Sequence, residues 1–217
     1  MVQPNPTNLL TAMGLATPLI GFYDAPDPRA FRPVFTPSML AKPCVFAGYE
    51  RWLNGETLHI TREDFGCRGA GHWLCDATTR SRDEFVRFLV DDEGLRSSYA
   101  LMNQWLDRTR PYRMEHGNIL IGPLRPDEYR YLKTVTFYVD PDRVSLLVVG
   151  AHYDSAPGDP SPVVVPFGSG CMELCPLFED LNIPQAIIGA TDPAMRGSLP
   201  RDLLAFTVTK PMFERLC

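Results

Sequence analysis

Apolar residues in this chain fall into short runs separated by proline and glycine, and those runs set the expected elements. Leu19-Ile-Gly-Phe-Tyr, Thr57-Leu-His-Ile and Asn118-Ile-Leu-Ile-Gly-Pro-Leu read as strands or extended segments, as do Gln185-Ala-Ile-Ile-Gly and Leu203-Leu-Ala-Phe-Thr-Val. Thr134-Val-Thr-Phe-Tyr-Val and Val144-Ser-Leu-Leu-Val-Val-Gly are the strongest strand patterns, with Asp140-Pro-Asp-Arg between them as a turn. Val163 to Phe167 reads as a short buried strand that ends at Gly168 and Gly170, where the backbone can turn sharply.

Helical spacing appears elsewhere. Residues 7–14 form a short helix capped by Asn5 or Thr7 and stopped by Gly14. Thr36 or Ser38 precedes a helix expected from Met39–Ala41 to Leu53, with Pro43 confined to its first turn and Asn54-Gly55 as its stop. From Ser81 to Leu106 the pattern is helical, split at Gly94; Asp127–Leu132 is a turn or short helix, and Met212 to Leu216 a last helical turn. The stretch from Phe65 to Cys75 carries Gly66, Gly69 and Gly71. Glycine costs about 1 kcal/mol in a helix interior, so this is either a loop or a place where another segment packs very closely. Helices and strands alternate without a βαβ rhythm. The expected fold is α+β (mixed α/β), one domain over residues 1–217 with a mixed sheet flanked by short helices.

Composition narrows the partners. The chain has 217 residues, 45% apolar and 22% charged, so a large core needs no covalent staples. A net charge of −5 argues against nucleic acid and anionic membranes, which reward a dense positive face. No stretch reaches the roughly 20 apolar residues of a membrane helix, and Met1-Val-Gln-Pro-Asn-Pro lacks the pattern of a signal peptide. A cytoplasmic protein is expected, with its six cysteines as thiols or metal ligands rather than disulfides.

Candidate chemistry therefore centres on sulfur. Cys44, Cys67, Cys171 and Cys175, with Cys75 and His72 in reserve, are candidate ligands for an iron–sulfur cluster or zinc. No C-x2-C pair is present, and isolated cysteines are commonly small buried hydrophobes. Alternatively Cys171 is a nucleophilic or redox thiol, with His152 or His72 as base and Asp154 or Glu173 orienting it. Pro176 suits the first position of a helix starting near Cys175, which leaves Cys171 in the preceding turn. Gly168, Ser169 and Gly170 could cradle a small anion through backbone amides, and Arg196 could clamp a carboxylate or phosphate, although a pairing with Asp192 is an equal reading. Neither a P-loop nor a G-x-S-x-G elbow is present. Three function classes remain: a binding protein for a metal, a cluster or a small anionic molecule, an enzyme built on Cys171, and a structural subunit without a small-molecule ligand.

A faint internal echo accompanies this. Lys42-Pro-Cys44 with a helix ending at Gly55 resembles Gly170-Cys171 with a helix ending near Asn182, which would put Cys44 and Cys171 in similar places in two halves. Pro43-Cys44, Cys67-Arg-Gly-Ala-Gly, the Val163–Cys171 strand and turn, and Ile187-Ile-Gly-Ala-Thr-Asp-Pro-Ala-Met-Arg together resemble the domain of unknown function 169 family, an archaeal and bacterial group. The resemblance runs from about Leu9 to Phe213. It implies no established activity. It marks Cys44, Cys67, Gly170, Cys171 and Arg196 as matching positions and Cys75 and Cys175 as additions.

Overall fold

A computed structural model describes residues 6–14, 18–77, 81–175, 177–178 and 180–217. The strands are β1 (Ile20–Asp24), β2 (Val34–Phe35), β3 (Thr57–Ile60), β4 (Ile119–Pro123), β5 (Leu132–Val139), β6 (Val163–Val164), β7 (Ala186–Gly189) and β8 (Leu204–Thr209). They make one mixed eight-stranded sheet in the order β2-β3-β4-β1-β5-β8-β7-β6. The α+β class read from the sequence is the observed one.

Each half of the sheet repeats the other. Outward from the antiparallel β1–β5 pair, the chain runs β1, β4, β3, β2 on one side and β5, β8, β7, β6 on the other. The pairing sense repeats as well: antiparallel, antiparallel, then parallel at the outer edge. Val34 lies opposite Thr57, and Val163 opposite Ala186, at the same separation along the chain. Parallel neighbours cannot be joined by a tight hairpin, so each edge pair needs a long crossover. Cys44 lies in the β2–β3 crossover and Cys171 in the β6–β7 crossover.

Both crossovers cover the same sheet face. Cys44 and Cys171 belong to one apolar cluster with Phe46, Trp52, Trp73 and Tyr138. That face also carries α2 (Tyr49–Leu53), α3 (Arg68–Cys75), α4 (Arg82–Arg87) and α5 (Tyr99–Arg108), whose buried residues enter the same cluster. The opposite face, with Val135, Phe137, Phe206 and Val208, packs against α6 (Pro141–His152) and α8 (Lys210–Leu216).

Several local expectations change. The apolar run Val144–Gly150 is helical, part of α6, because Asp140 accepts the Arg143 amide at 2.9 Å and Pro141 fits the first helical turn. Val144, Leu147 and Ala151 are buried at helical spacing while Leu146 and Val149 face solvent. A continuous apolar run is ambiguous between strand and helix, and here the cap decides. The expected Met39–Leu53 helix begins only at Val45, as a 3-10 turn over Val45–Gly48 that continues into α2, and Cys44 before it is extended. Val163–Phe167 is not a buried strand: only Val163–Val164 pair, at the sheet edge, and Val165 is 66% exposed. Cys175 and Leu177 lie in turns, and Pro176, the expected helix start, is outside the described residues. Asn5 is outside them too, and Thr7 lies within the short helix α1 (Pro6–Ala12). Gly94 breaks the long helical pattern as expected, with φ +64 after a π turn over Phe88–Asp92.

Candidate thiol site

The glycine-rich segment is a helix, and its glycines mark a close approach. Cys67 is the N-cap of α3, and its sulfur accepts the Ala70 amide at 3.5 Å. A Cβ at Gly69 would lie 3.0 Å from Ser169 Oγ and 3.8 Å from Cys67 Sγ, so the missing side chain lets the β6–β7 crossover sit on the first turn of α3. That crossover forms a 3-10 turn over Gly170–Glu173, which holds Cys171 only 4% exposed. Its thiol lies beside Cys67, on whose ionisation it has the largest single effect.

The two sulfurs are driven in opposite directions. Hydrogen bonding from Cys171, and then the Ala70 and Gly69 amides at the start of α3, outweigh burial and lower Cys67 from 9.0 to about 6. Cys171 is held well above the ordinary thiol value, because it donates to Cys67, is buried, and would ionise beside an existing negative charge. Ionisation is thus favoured at Cys67 and disfavoured at Cys171. Cys44 completes the cluster. Burial pushes its thiol up, the neighbouring charge of Cys67 adds to that, and the Phe46 and Ala47 amides with the Ser198 hydroxyl partly oppose it.

Carboxylates surround the sulfurs. Asp192 caps α7 (Pro193–Arg196) by accepting the Ala194 amide at 2.8 Å, and its second oxygen accepts the Gly170 amide at 2.9 Å. Because α3 follows β3 and α7 follows β7, Cys67 and Asp192 are N-cap groups at equivalent points in the two halves. Glu173, 3% exposed, accepts the Ala190 amide at 2.7 Å and the Thr191 hydroxyl at 2.9 Å, while burial raises it to about 7. These bonds hold Ala190 at φ 63, a left-handed conformation that non-glycine residues seldom adopt. Glu93 is also raised to about 7, chiefly by burial and then by the charges of Asp192 and Cys67. Tyr138 of β5 is buried near Cys171, Cys44 and Glu173.

The remaining candidates lie apart from this cluster. Cys175 is buried among Tyr112, Asp24, Glu115 and Lys133, so the expected fourth thiol does not join the other three. Cys75 directs its thiol to the Thr61 carbonyl and is pushed up to about 12 by burial. His72 packs against Trp73 and Phe85 at ring distances of 4.5 and 4.4 Å, and burial lowers its pKa. His152 bonds the Val148 carbonyl and Ser161 on α6, and Asp154 pairs with Arg215; neither orients Cys171.

The anion cradle expected at Gly168, Ser169 and Gly170 already holds a carboxylate of the chain itself, since the Gly170 amide is taken by Asp192. The Arg196 guanidinium donates to the carbonyls of Leu203, Pro200 and Arg201 rather than to Asp192. Among the described residues, no group of three or more His, Cys, Asp or Glu side chains is arranged to hold a metal ion. Surface cavities of about 940, 570 and 350 Å³ are not lined by Cys44, Cys67 or Cys171, although Pro43 and Gly66, the chain neighbours of Cys44 and Cys67, line the smallest; Cys175 lines the first of them. No helix of the described residues is long and apolar enough to cross a membrane.

Three groups at the site were not singled out by the sequence. Ser198 and Glu93 carry no motif. Asp192-Pro193 does carry one, the side-chain cap followed by proline that starts a helix, and it was open to reading.

The sequence profile of one protein family, described as uncharacterised ArCR and catalogued as domain of unknown function 169, matches residues 8–217. No curated protein and no solved structure matches the chain.

Proposed function

The chain belongs to the domain of unknown function 169 family, and for it we propose a thiol-based function in which Cys67 is the reacting sulfur and Cys171 its redox partner. The observation that carries this reading is the place of Cys67 at the N-cap of α3, where its sulfur accepts the Ala70 amide at 3.5 Å and the turn bearing Cys171 packs against it, a setting that favours its ionised form. A thiolate near neutral pH is the nucleophilic form of cysteine. A second thiol in contact with it can close a disulfide.

In thiol–disulfide exchange, Cys67 Sγ attacks one sulfur of a disulfide R–S–S–R′, the S–S bond breaks, and R′S⁻ leaves. The Cys171 proton passes to that thiolate, giving R′SH. Cys171 Sγ then displaces RS⁻ from Cys67, and a Cys67–Cys171 disulfide closes. Two electrons have passed from the protein to the substrate. Glu93 and Asp192 stand close enough to the two thiols to oppose further negative charge there.

Incubation with cystamine followed by peptide mapping tests the reading. The expected product is a Cys67–Cys171 disulfide, and in Cys171→Ser a mixed disulfide trapped on Cys67. Modification confined to other cysteines contradicts it.

A metal, zinc or iron–sulfur reading rests on the convergence of Cys44, Cys67 and Cys171. The ligand set does not suit it, because Cys175 is elsewhere and no metal-holding group is found among the described residues. Metal analysis of anaerobically purified protein tests this second reading, and stoichiometric iron or zinc would favour it over the redox pair.

A further inference from the structure

An acidic protein here presents a concentrated cationic wall. Arg108, Arg110 and Arg113 line the cavity of about 940 Å³, which is within the size range of small-molecule sites. The segment that carries them is fixed from behind. Tyr112 is buried, its amide donates to the Trp73 carbonyl at 2.8 Å, its hydroxyl donates to Asp24 at 2.9 Å, and its ring packs edge-on against Phe22 at 5.4 Å. With residue 112 turned inward, Arg110 and Arg113 on either side are exposed.

Three of the nearby carboxylates are engaged elsewhere, and Asp180 accepts from Asn182. Asp107 pairs with Arg82 at 2.6 Å, Glu115 with Lys133 at 2.8 Å, and Asp24 accepts the Tyr112 hydroxyl and the Glu115 and His116 amides. None of the three arginines has an ion-pair partner among the described residues. The cavity is also lined by apolar side chains, Leu177, Phe178 and Leu181. A cationic wall with apolar neighbours selects a molecule with an anionic head and an apolar body.

We propose that this cavity is a binding site for an amphipathic organic anion, with the head group held by Arg108, Arg110 and Arg113 and the apolar body lying on Phe178 and Leu181. The site is independent of the thiol pair. It uses none of Cys44, Cys67 or Cys171.

Isothermal titration with octanoate and with its neutral isostere octanamide tests this on the full chain. Octanoate is expected to bind one site, at least about tenfold more tightly than octanamide, with affinity that falls as salt rises. Arg110→Ala/Arg113→Ala is expected to weaken octanoate by about tenfold or more while leaving octanamide unchanged. Both positions are exposed, so the variant should fold, and circular dichroism checks that it does. Equal binding of the two ligands, unchanged octanoate affinity in the variant, or no octanoate binding to the parent chain would each overturn the proposal.

Discussion

The thiol of Cys171 lies beside the sulfur of Cys67, and the contact joins the β6–β7 crossover to the N-cap of the helix that follows β3. Residues more than a hundred positions apart thereby set each other's ionisation. Two repeated half-sheets bring this about, because each sends its crossover across the same face. The first prediction is redox behaviour. Mild oxidation with diamide should give one Cys67–Cys171 disulfide, seen by mass as the loss of two hydrogens, and Cys171→Ser should abolish it. Oxidation that instead links other cysteines would separate the pair from any redox role.

Charge around the site should select among reagents. Glu93 and Asp192 lie within electrostatic reach of the two thiols, so an anionic electrophile meets repulsion that a neutral one does not. Iodoacetamide is expected to outpace iodoacetate at Cys67 by about five- to tenfold more than it does with a free thiol, a difference of order 1 kcal/mol. Glu93→Gln should narrow the gap above pH 7, where the carboxylate is charged. Equal discrimination in parent and variant would remove Glu93 from the site.

Stability should respond to pH through two groups of opposite sign. Glu173 is raised from 4.5 to about 7, so the folded chain keeps a proton that the unfolded chain has released. Its contribution is full below pH 4.5 and lost as pH rises through about 7. The loss amounts to at most about 3 kcal/mol, since one pKa unit is about 1.4 kcal/mol. Cys67 is lowered from 9.0 to about 6, so its contribution is full above pH 9 and lost as pH falls through 6. Urea midpoints across pH should show Glu173→Gln flattening the fall between pH 4.5 and 7, and Cys67→Ser removing a gain between pH 6 and 9. Parallel curves for parent and variants would contradict both assignments.

The two glycines of α3 should differ in how they tolerate alanine. At Gly71 a Cβ would lie 2.7 Å from the Phe65 ring and 2.9 Å from the Ala77 carbonyl oxygen, and backbone cannot move aside cheaply. Gly71→Ala should cost about 1–3 kcal/mol despite better helix propensity. At Gly69 the tightest neighbour is the Ser169 hydroxyl at 3.0 Å, which can rotate. Gly69→Ala should stay within about 1 kcal/mol of the parent while altering Cys67 reactivity. Thermal unfolding of the two variants checks the order.

Much of this architecture was readable before any coordinates. Strong β patterns such as Thr134–Val139 and Leu204–Val208 lie in strands, because β-branched and aromatic residues suit central strands covered on both faces. The sequence gathers Cys44, Cys67, Cys171 and Cys175 around one pocket; the first three lie near one another, while Cys175 lies apart and none of the cavities is lined by the three. The failure at Val144–Gly150 came from reading Asp140-Pro141 as a turn when it is a helix cap. Cys175 lies apart for a different reason: past the 3-10 turn that ends at Glu173 the chain turns again and carries it round to the Tyr112 side, which spacing alone does not reveal. Glu93 was invisible because its proximity to Cys67 depends on how the Arg82–Asp92 segment packs on α3, through Phe85 on His72 and Phe88 under Arg68. Local propensity carries no information about such packing.

The most direct test of a thiolate at Cys67 is the pH dependence of alkylation at each cysteine. Limiting iodoacetamide followed by peptide mapping should show Cys67 modified first, with a rate that is half-maximal near pH 6, and Cys171 silent until strongly alkaline conditions. In Cys171→Ala the Cys67 midpoint should move up toward the free-thiol value of about 8.5. A Cys67 midpoint already near that value in the parent chain, or earlier modification of Cys171, would contradict the account.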